Sequence, residues 1–171
     1  AAEKLAPHND RVSLLHQRAE SLPFPDDTFD TVCCLEALEF MMEPRGVLRE
    51  LARVLRPGGL LVLTNRQGRD AKLMPGQMFS HEALEQMLRD EIGMSAVEVE
   101  PWQVDYRIVW ALKAGISPAA SARQLEEIWR CPRCGAVDLV AVEGGWRCLT
   151  CETRVPVGAD GVIEAERVRG S

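Results

Sequence analysis

The chain reads as an α/β protein: a partial doubly wound, mostly parallel sheet followed by a small C-terminal β unit built on cysteines. Three stretches predict this. FDTVCCL at 29–35 and LLVL at 60–63 are short apolar runs of the kind found in strands buried on both faces, and an amphipathic segment separates them. Strand, helix, strand in that order implies a parallel pair joined by a crossover. Two further strand-like segments, 94–100 and 105–112, follow a second helical stretch. Two Cys-x2-Cys pairs, at 131–134 and 148–151, then mark a unit of different character.

Residues 1–6 resemble a helix end and 7–10 a turn, while RVSLLHQ at 11–17 reads as a strand and 18–27 as a loop. After the strand at 29–35, Glu43-Pro44 opens a helix with Pro at its first position, where the missing N–H costs nothing. Val47, Leu48, Leu51, Val54 and Leu55 form one apolar stripe. Arg53 and Arg56 suit the last turn, and Pro57-Gly58-Gly59 ends the helix. Residues 66–78, with Gly68, Pro75 and Gly76, read as a loop. Ser80 is a fitting N-cap for a helix at 81–89, with Phe79 and Leu84 placed as a hydrophobic staple. AGISPAAS at 114–121 is a linker by composition, and 122–129 a short helix. The expected division is 1–114, then linker and short helix over 115–128, then 129–171 for the cysteine unit and its tail.

A hydrophobic content of 46% supports a packed core, and the formal net charge is −6. Residues 1–127 hold 14 Lys and Arg against 20 Asp and Glu, and residues 128–171 hold six of each. Neither part is basic, so nucleic acid is disfavoured as a partner. No apolar run is long enough to cross a bilayer, and no secretory leader is visible. The chain starts Ala1-Ala2-Glu3 without an initiator Met. It is read as a piece of a longer, cytoplasmic protein.

Leu22-Pro23-Phe24, Asp26 and Asp27 before Phe29-Asp30, and Arg53-Val54-Leu55-Arg56-Pro57-Gly58-Gly59 occur in this order. Together they resemble the later part of class I S-adenosylmethionine-dependent methyltransferases related to small-molecule C-methylases, over roughly the first two-thirds of the chain. The resemblance implies a Rossmann-like methyltransferase sheet whose first strands are missing, S-adenosylmethionine as cofactor and a small-molecule methyl acceptor. No glycine-rich turn precedes Arg11, so these residues alone are expected to be inactive. By the same resemblance, Arg18-Ala19-Glu20 stands where Asp-Ala-Glu usually holds the adenine. Arg18 has no acceptor, which shifts that contact to the Ala19 backbone and Glu20.

Leu35 is then placed at the methyl end of the cofactor. Glu36 and Glu39 are candidates to orient or deprotonate a substrate, the other reading being a solvated helix start. Asn65-Arg66 suit either a substrate contact or a plain strand exit. Trp102, Asp105 and Tyr106 suit a pocket wall or a hairpin with one packed Trp. Cys33 and Cys34 are expected in the core. Methyl transfer asks mainly for alignment and exclusion of water, so few catalytic side chains are required. The alternative reading is a non-catalytic subunit that binds or activates another protein.

Cys131, Cys134, Cys148 and Cys151 have the spacing of a structural tetrahedral Zn²⁺ site, with two disulfides as the alternative. Cys131-Pro132-x-Cys134, Leu139, Trp146-x-Cys148-x-x-Cys151, Pro156-Val157 and Asp160-Gly161-Val162 resemble the small zinc-ribbon proteins that activate methyltransferases. That likeness implies in-cis docking of the ribbon on the sheet through Trp129, Trp146 or Val162. Those residues also suit the ribbon's own core.

Overall fold

The computed structural model describes residues 2–8, 10–68, 71, 78–118 and 123–168. In chain order its elements are α1 (Ala2–Leu5), β1 (Phe29–Cys34), α2 (Pro44–Val54), β2 (Leu55–Arg66), α3 (His81–Gln86), β3 (Met94–Trp102), β4 (Tyr106–Lys113), α4 (Leu125–Ile128), β5 (Leu139–Val142), β6 (Gly145–Cys148) and β7 (Arg154–Pro156). They group into two compact units, residues 26–121 and residues 1–25 with 122–171. Much of the loop expected over 66–78, part of the linker and the start of the helix expected at 122 lie outside the described residues.

In the first unit the sheet order is β1-β2-β4-β3. β1 and β2 are parallel, with Val32 opposite Leu61 and Cys34 opposite Leu63. β2–β4 and β4–β3 are antiparallel, and the latter pair is a hairpin. The expected crossover is present: α2 starts at Pro44 and buries Val47, Leu48, Leu51 and Val54. It ends at Val54, two residues earlier than the sequence suggested, because Leu55 takes extended backbone. Arg56 therefore lies beyond the helix and pairs with Asp30 of β1. Pro57 to Gly59 bulge out of the β1–β2 ladder, whose register slips between Phe29 and Thr31. Gly59 is required there, since a Cβ would sit 2.9 Å from the Asp30 carbonyl oxygen.

Side chains alternate across this sheet. One face carries Cys34, Leu61, Leu63, Val97, Val109 and Ala111, all buried. The other carries Cys33, Trp110 and Leu112, all exposed, with Val62 and Thr64 of β2 buried between them. β1, expected to be buried on both faces, is thus buried on one, whereas β2 is covered on both, and Cys33 is not a core residue. α3 is capped by Ser80, whose Oγ accepts the Ala83 N–H at 3.2 Å, and the chain continues as a π-turn through Glu91.

The second unit contains the three-stranded antiparallel sheet β5-β6-β7. Its core is Trp129, Leu139, Trp146, Val155, Ile163, Ala165 and Val168, with Cys131 and Cys148. The segment expected as a strand at 11–17 joins this unit. Leu15 makes a single parallel bridge to Ile163, and Leu15 and Phe24 pack against the same core.

Candidate active site and metal centre

The carboxyl ends of β1 and β2 gather the polar side chains of the first unit. β1 ends at Cys34, and Glu36 takes a left-handed backbone (φ +48°) that turns the chain. Its N–H donates to the buried Thr64 hydroxyl at 2.7 Å. This turn leads into a 3-10 helix, Leu38–Phe40, that carries Glu39 inward to 0% exposure. A buried carboxylate needs donors. Tyr106 supplies one, its hydroxyl donating to Glu39 Oε1 at 2.5 Å. Glu39 Oε2 has no hydrogen-bond partner among the described residues.

Tyr106 reaches this position because β4 runs antiparallel to β2, which sets its first residue opposite Arg66. Trp102 packs edge-on against the Tyr106 ring at 6.1 Å, and the Arg66 guanidinium lies 5.9 Å from its centroid. Asn65 is buried, donates to the Phe79 carbonyl at 2.9 Å and has no partner for Oδ1 among the described residues. Gln103, also left-handed, donates to Glu36 Oε1 at 3.3 Å.

The charge of Glu39 shapes its neighbours. Tyr106 is pushed up to about 12, first by its hydrogen bond to Glu39 and then by burial and by the Glu39 charge itself; Arg66 opposes this. The Cys34 thiol is pushed up to about 11, first by burial and then by Glu39. It is a neutral core thiol at physiological pH and no nucleophile.

Glu36, Glu39 and Leu35 therefore lie within one unit, Leu35 half exposed just after β1. Arg18, Ala19 and Glu20 lie in the other. The Arg18 N–H donates to Glu166 Oε2 at 3.3 Å, and its guanidinium pairs with Glu20 at 3.4 Å. From sequence Tyr106 suits a pocket wall or a hairpin, and neither reading contains its bond to Glu39. The β3–β4 hairpin sets Tyr106 only beside Trp102, and its place at the end of β2 comes from the long-range β2–β4 pairing, for which the sequence held no local signal.

In the second unit the sulfurs of Cys131, Cys134, Cys148 and Cys151 all lie within 4.8 Å of one another. Cys131–Cys151 and Cys134–Cys148 are 3.7 and 3.6 Å apart, too far for disulfide bonds. Zn–S bonds of ~2.3 Å in a tetrahedron require edges of ~3.8 Å, so the four thiols fit one such ion. Each knuckle turns on a left-handed residue after its second cysteine, Gly135 (φ +75°) and Glu152 (φ +59°). The Trp129 and Trp146 rings pack edge to face at 5.5 Å in this unit's own core.

The same unit holds the segment before β1. His16 N–H donates to Ile163 O, Ile163 N–H to Leu14 O, Glu166 N–H to His16 O and Arg130 N–H to Pro23 O, at 2.7–3.0 Å. The His16 ring also meets Glu164 Oε2 at 2.8 Å.

Residues 1–63 match the family model described as a methyltransferase domain. A demethylmenaquinone methyltransferase of Clavibacter sepedonicus is 49% identical over 55 residues, 32% of this chain and 22% of that protein. A 2-methyl-6-phytyl-1,4-hydroquinone methyltransferase of Synechocystis is 32% identical over 87 residues, 51% of this chain and 27% of that protein. The chain thus spans about a quarter of the length of these curated relatives. Among solved structures, an Aquifex aeolicus SAM-dependent methyltransferase superposes with a TM-score of 0.52 at 24% identity, over 64% of this chain and 60% of that one. On these grounds the chain carries methyltransferase-domain sequence over residues 1–63 and an α/β sheet with the fold of the S-adenosylmethionine-dependent methyltransferases, beside a four-cysteine cluster compatible with a zinc ribbon.

Proposed function

We propose that the chain is part of an S-adenosylmethionine-dependent methyltransferase that acts on a small molecule and carries its own structural zinc ribbon. The observation that carries the enzymatic reading is the buried Glu39 carboxylate. It lies at the carboxyl edge of the parallel pair, where open α/β sheets bind their ligands, with one oxygen held by Tyr106 and the other without a hydrogen-bond partner among the described residues. A carboxyl group at 0% exposure with an unsatisfied oxygen is costly to keep unless it has a task. The two relatives above are named for demethylmenaquinone and a hydroquinone, which supports a hydroxylated aromatic acceptor.

In this reading Leu35 and Glu36 border the methyl donor. Cys131, Cys134, Cys148 and Cys151 would hold the zinc, which supplies folding free energy and leaves no open position for catalysis. These 171 residues alone should transfer no methyl group, since no glycine-rich turn precedes Arg11.

One observation favours a second reading, a non-catalytic binding or activating subunit: the Arg18 guanidinium already engages the Glu20 carboxylate that would serve the nucleoside. Calorimetry with S-adenosylmethionine on the protein extended by its upstream coding sequence separates the two. Saturable binding supports the enzyme; no heat of binding in a folded sample supports the scaffold.

A further inference from the structure

We propose that Tyr106 takes the proton from a hydroxylated acceptor while passing its own to Glu39, so that the site serves acceptors that must lose a proton to become nucleophiles. This deepens the methyltransferase reading above and rests on it. Three observations converge. Glu39 is buried, so no acceptor reaches it directly, and the side chain seen to touch its carboxylate is the Tyr106 hydroxyl. That hydroxyl spends its one proton on Glu39 and keeps its lone pairs for an incoming donor. The second carboxylate oxygen has no hydrogen-bond partner among the described residues, so Tyr106 is the donor that the carboxylate engages, and the proton it shares is directed at Oε1.

The step balances. The acceptor's O–H proton moves to Tyr106 Oη as the Tyr106 proton moves to Glu39 Oε1. The acceptor's oxygen, or the ring carbon conjugated with it, then bonds to the methyl as the methyl–sulfur bond breaks, its electron pair staying on sulfur; a methylated ring carbon afterwards loses its hydrogen as a proton while the ring oxygen regains one. One proton is released overall, and it ends on Glu39.

The groups that face Tyr106 are consistent with this relay. Glu39 and Glu36 favour its neutral form and Arg66, on β2, opposes them, so the phenol stays protonated through the physiological range. Cys34, beside Glu39, stays a neutral thiol and does not compete for the proton.

Tyr106 is the single tyrosine of the chain. Biosynthetic 3-fluorotyrosine therefore places one fluorine label in the whole protein, and fluorine NMR follows its titration below strongly alkaline pH. The label should titrate well above free fluorotyrosine, and Glu39→Gln should abolish most of that rise. Where Glu39→Gln fails to fold, Arg66→Gln serves instead and should raise the value further. A label that titrates like the free amino acid in the wild-type chain overturns the proposal.

The second arm uses the upstream-extended protein with S-adenosylmethionine and 1,4-naphthohydroquinone as probe. Tyr106→Phe should lower kcat by ~10²–10⁴-fold with little change in KM. The deficit should shrink about tenfold per pH unit toward the probe's own pKa, where solvent supplies the anion. A deficit constant across pH marks a packing role and overturns the inference, as does a wild-type protein that binds the donor yet leaves the probe unmethylated. Failure to bind the donor sinks the methyltransferase reading instead, and the fluorine titration still decides whether the pair exists.

Discussion

At the scale of single residues, the least replaceable position in the second unit is Gly145. A Cβ there would lie 2.2 Å from the Val155 carbonyl oxygen, across the β6–β7 ladder. Gly145→Ala should cost the ribbon about 1–3 kcal/mol as an overpacking change, read as easier chelation of its metal. Gly135 is different: nothing crowds its Cβ position, and only the left-handed backbone disfavours a side chain. Gly135→Ala should therefore cost only about 1 kcal/mol, and Glu152→Gly in the matching knuckle should gain a similar amount. Tyr106 gives a pH-dependent term. Its folded value lies above the ordinary 10, so its contribution to stability is complete below pH 10 and disappears as pH rises through about 12. Alkaline unfolding of the wild-type chain should show that loss, and Tyr106→Phe should not.

At the scale of elements, two devices hold the structure. The first is the end of α2. Lys113 Nζ, reaching from β4, donates to the Ala52 and Leu55 carbonyls at 2.8 and 2.6 Å and to Asp27 at 2.8 Å. A cation at a helix C-terminus satisfies orphan carbonyls and complements the dipole. Lys113→Met should lower the urea midpoint of the sheet, by about 1–2 kcal/mol in stability. The second is the packing of residues 14–24 on the ribbon through Leu15, His16, Pro23 and Phe24. A unit this small depends on its metal to fold. Metal analysis should find one zinc per chain, and Cys131→Ser should free the His16 and Arg130 amides to exchange while those of β2 and β4 stay protected. Retained protection at His16 in a metal-free sample would show that the packing stands without the ion.

At the scale of the whole molecule, the chain forms two units from three stretches of sequence, and residues 1–25 fold with residues 122–171. The expected first domain, 1–114, spans both units, and the methyltransferase match at 1–63 does the same. Thermal unfolding should accordingly show two transitions. A zinc chelator should lower one of them, and Leu63→Ala, a cavity in the sheet core, should lower the other by about 3–5 kcal/mol. Among the described residues, no helix is long and apolar enough to cross a membrane.

Periodicity and punctuation alone determined much of this architecture. The strand–helix–strand unit from Phe29 to Leu63, the Ser80 cap, the closing hairpin and the four-cysteine site were legible because each rests on neighbours close in sequence. Partners distant in sequence were not. RVSLLHQ has the pattern of a strand, but a pattern carries no address, and only the tertiary structure placed it against Ile163. Cys33 and Cys34 share one apolar run, and the single covered face of an edge strand decided which was buried. Glu39 and Tyr106 stand 67 residues apart; their bond exists because antiparallel pairing of β2 and β4 folds that distance away, which no local property of either residue encodes.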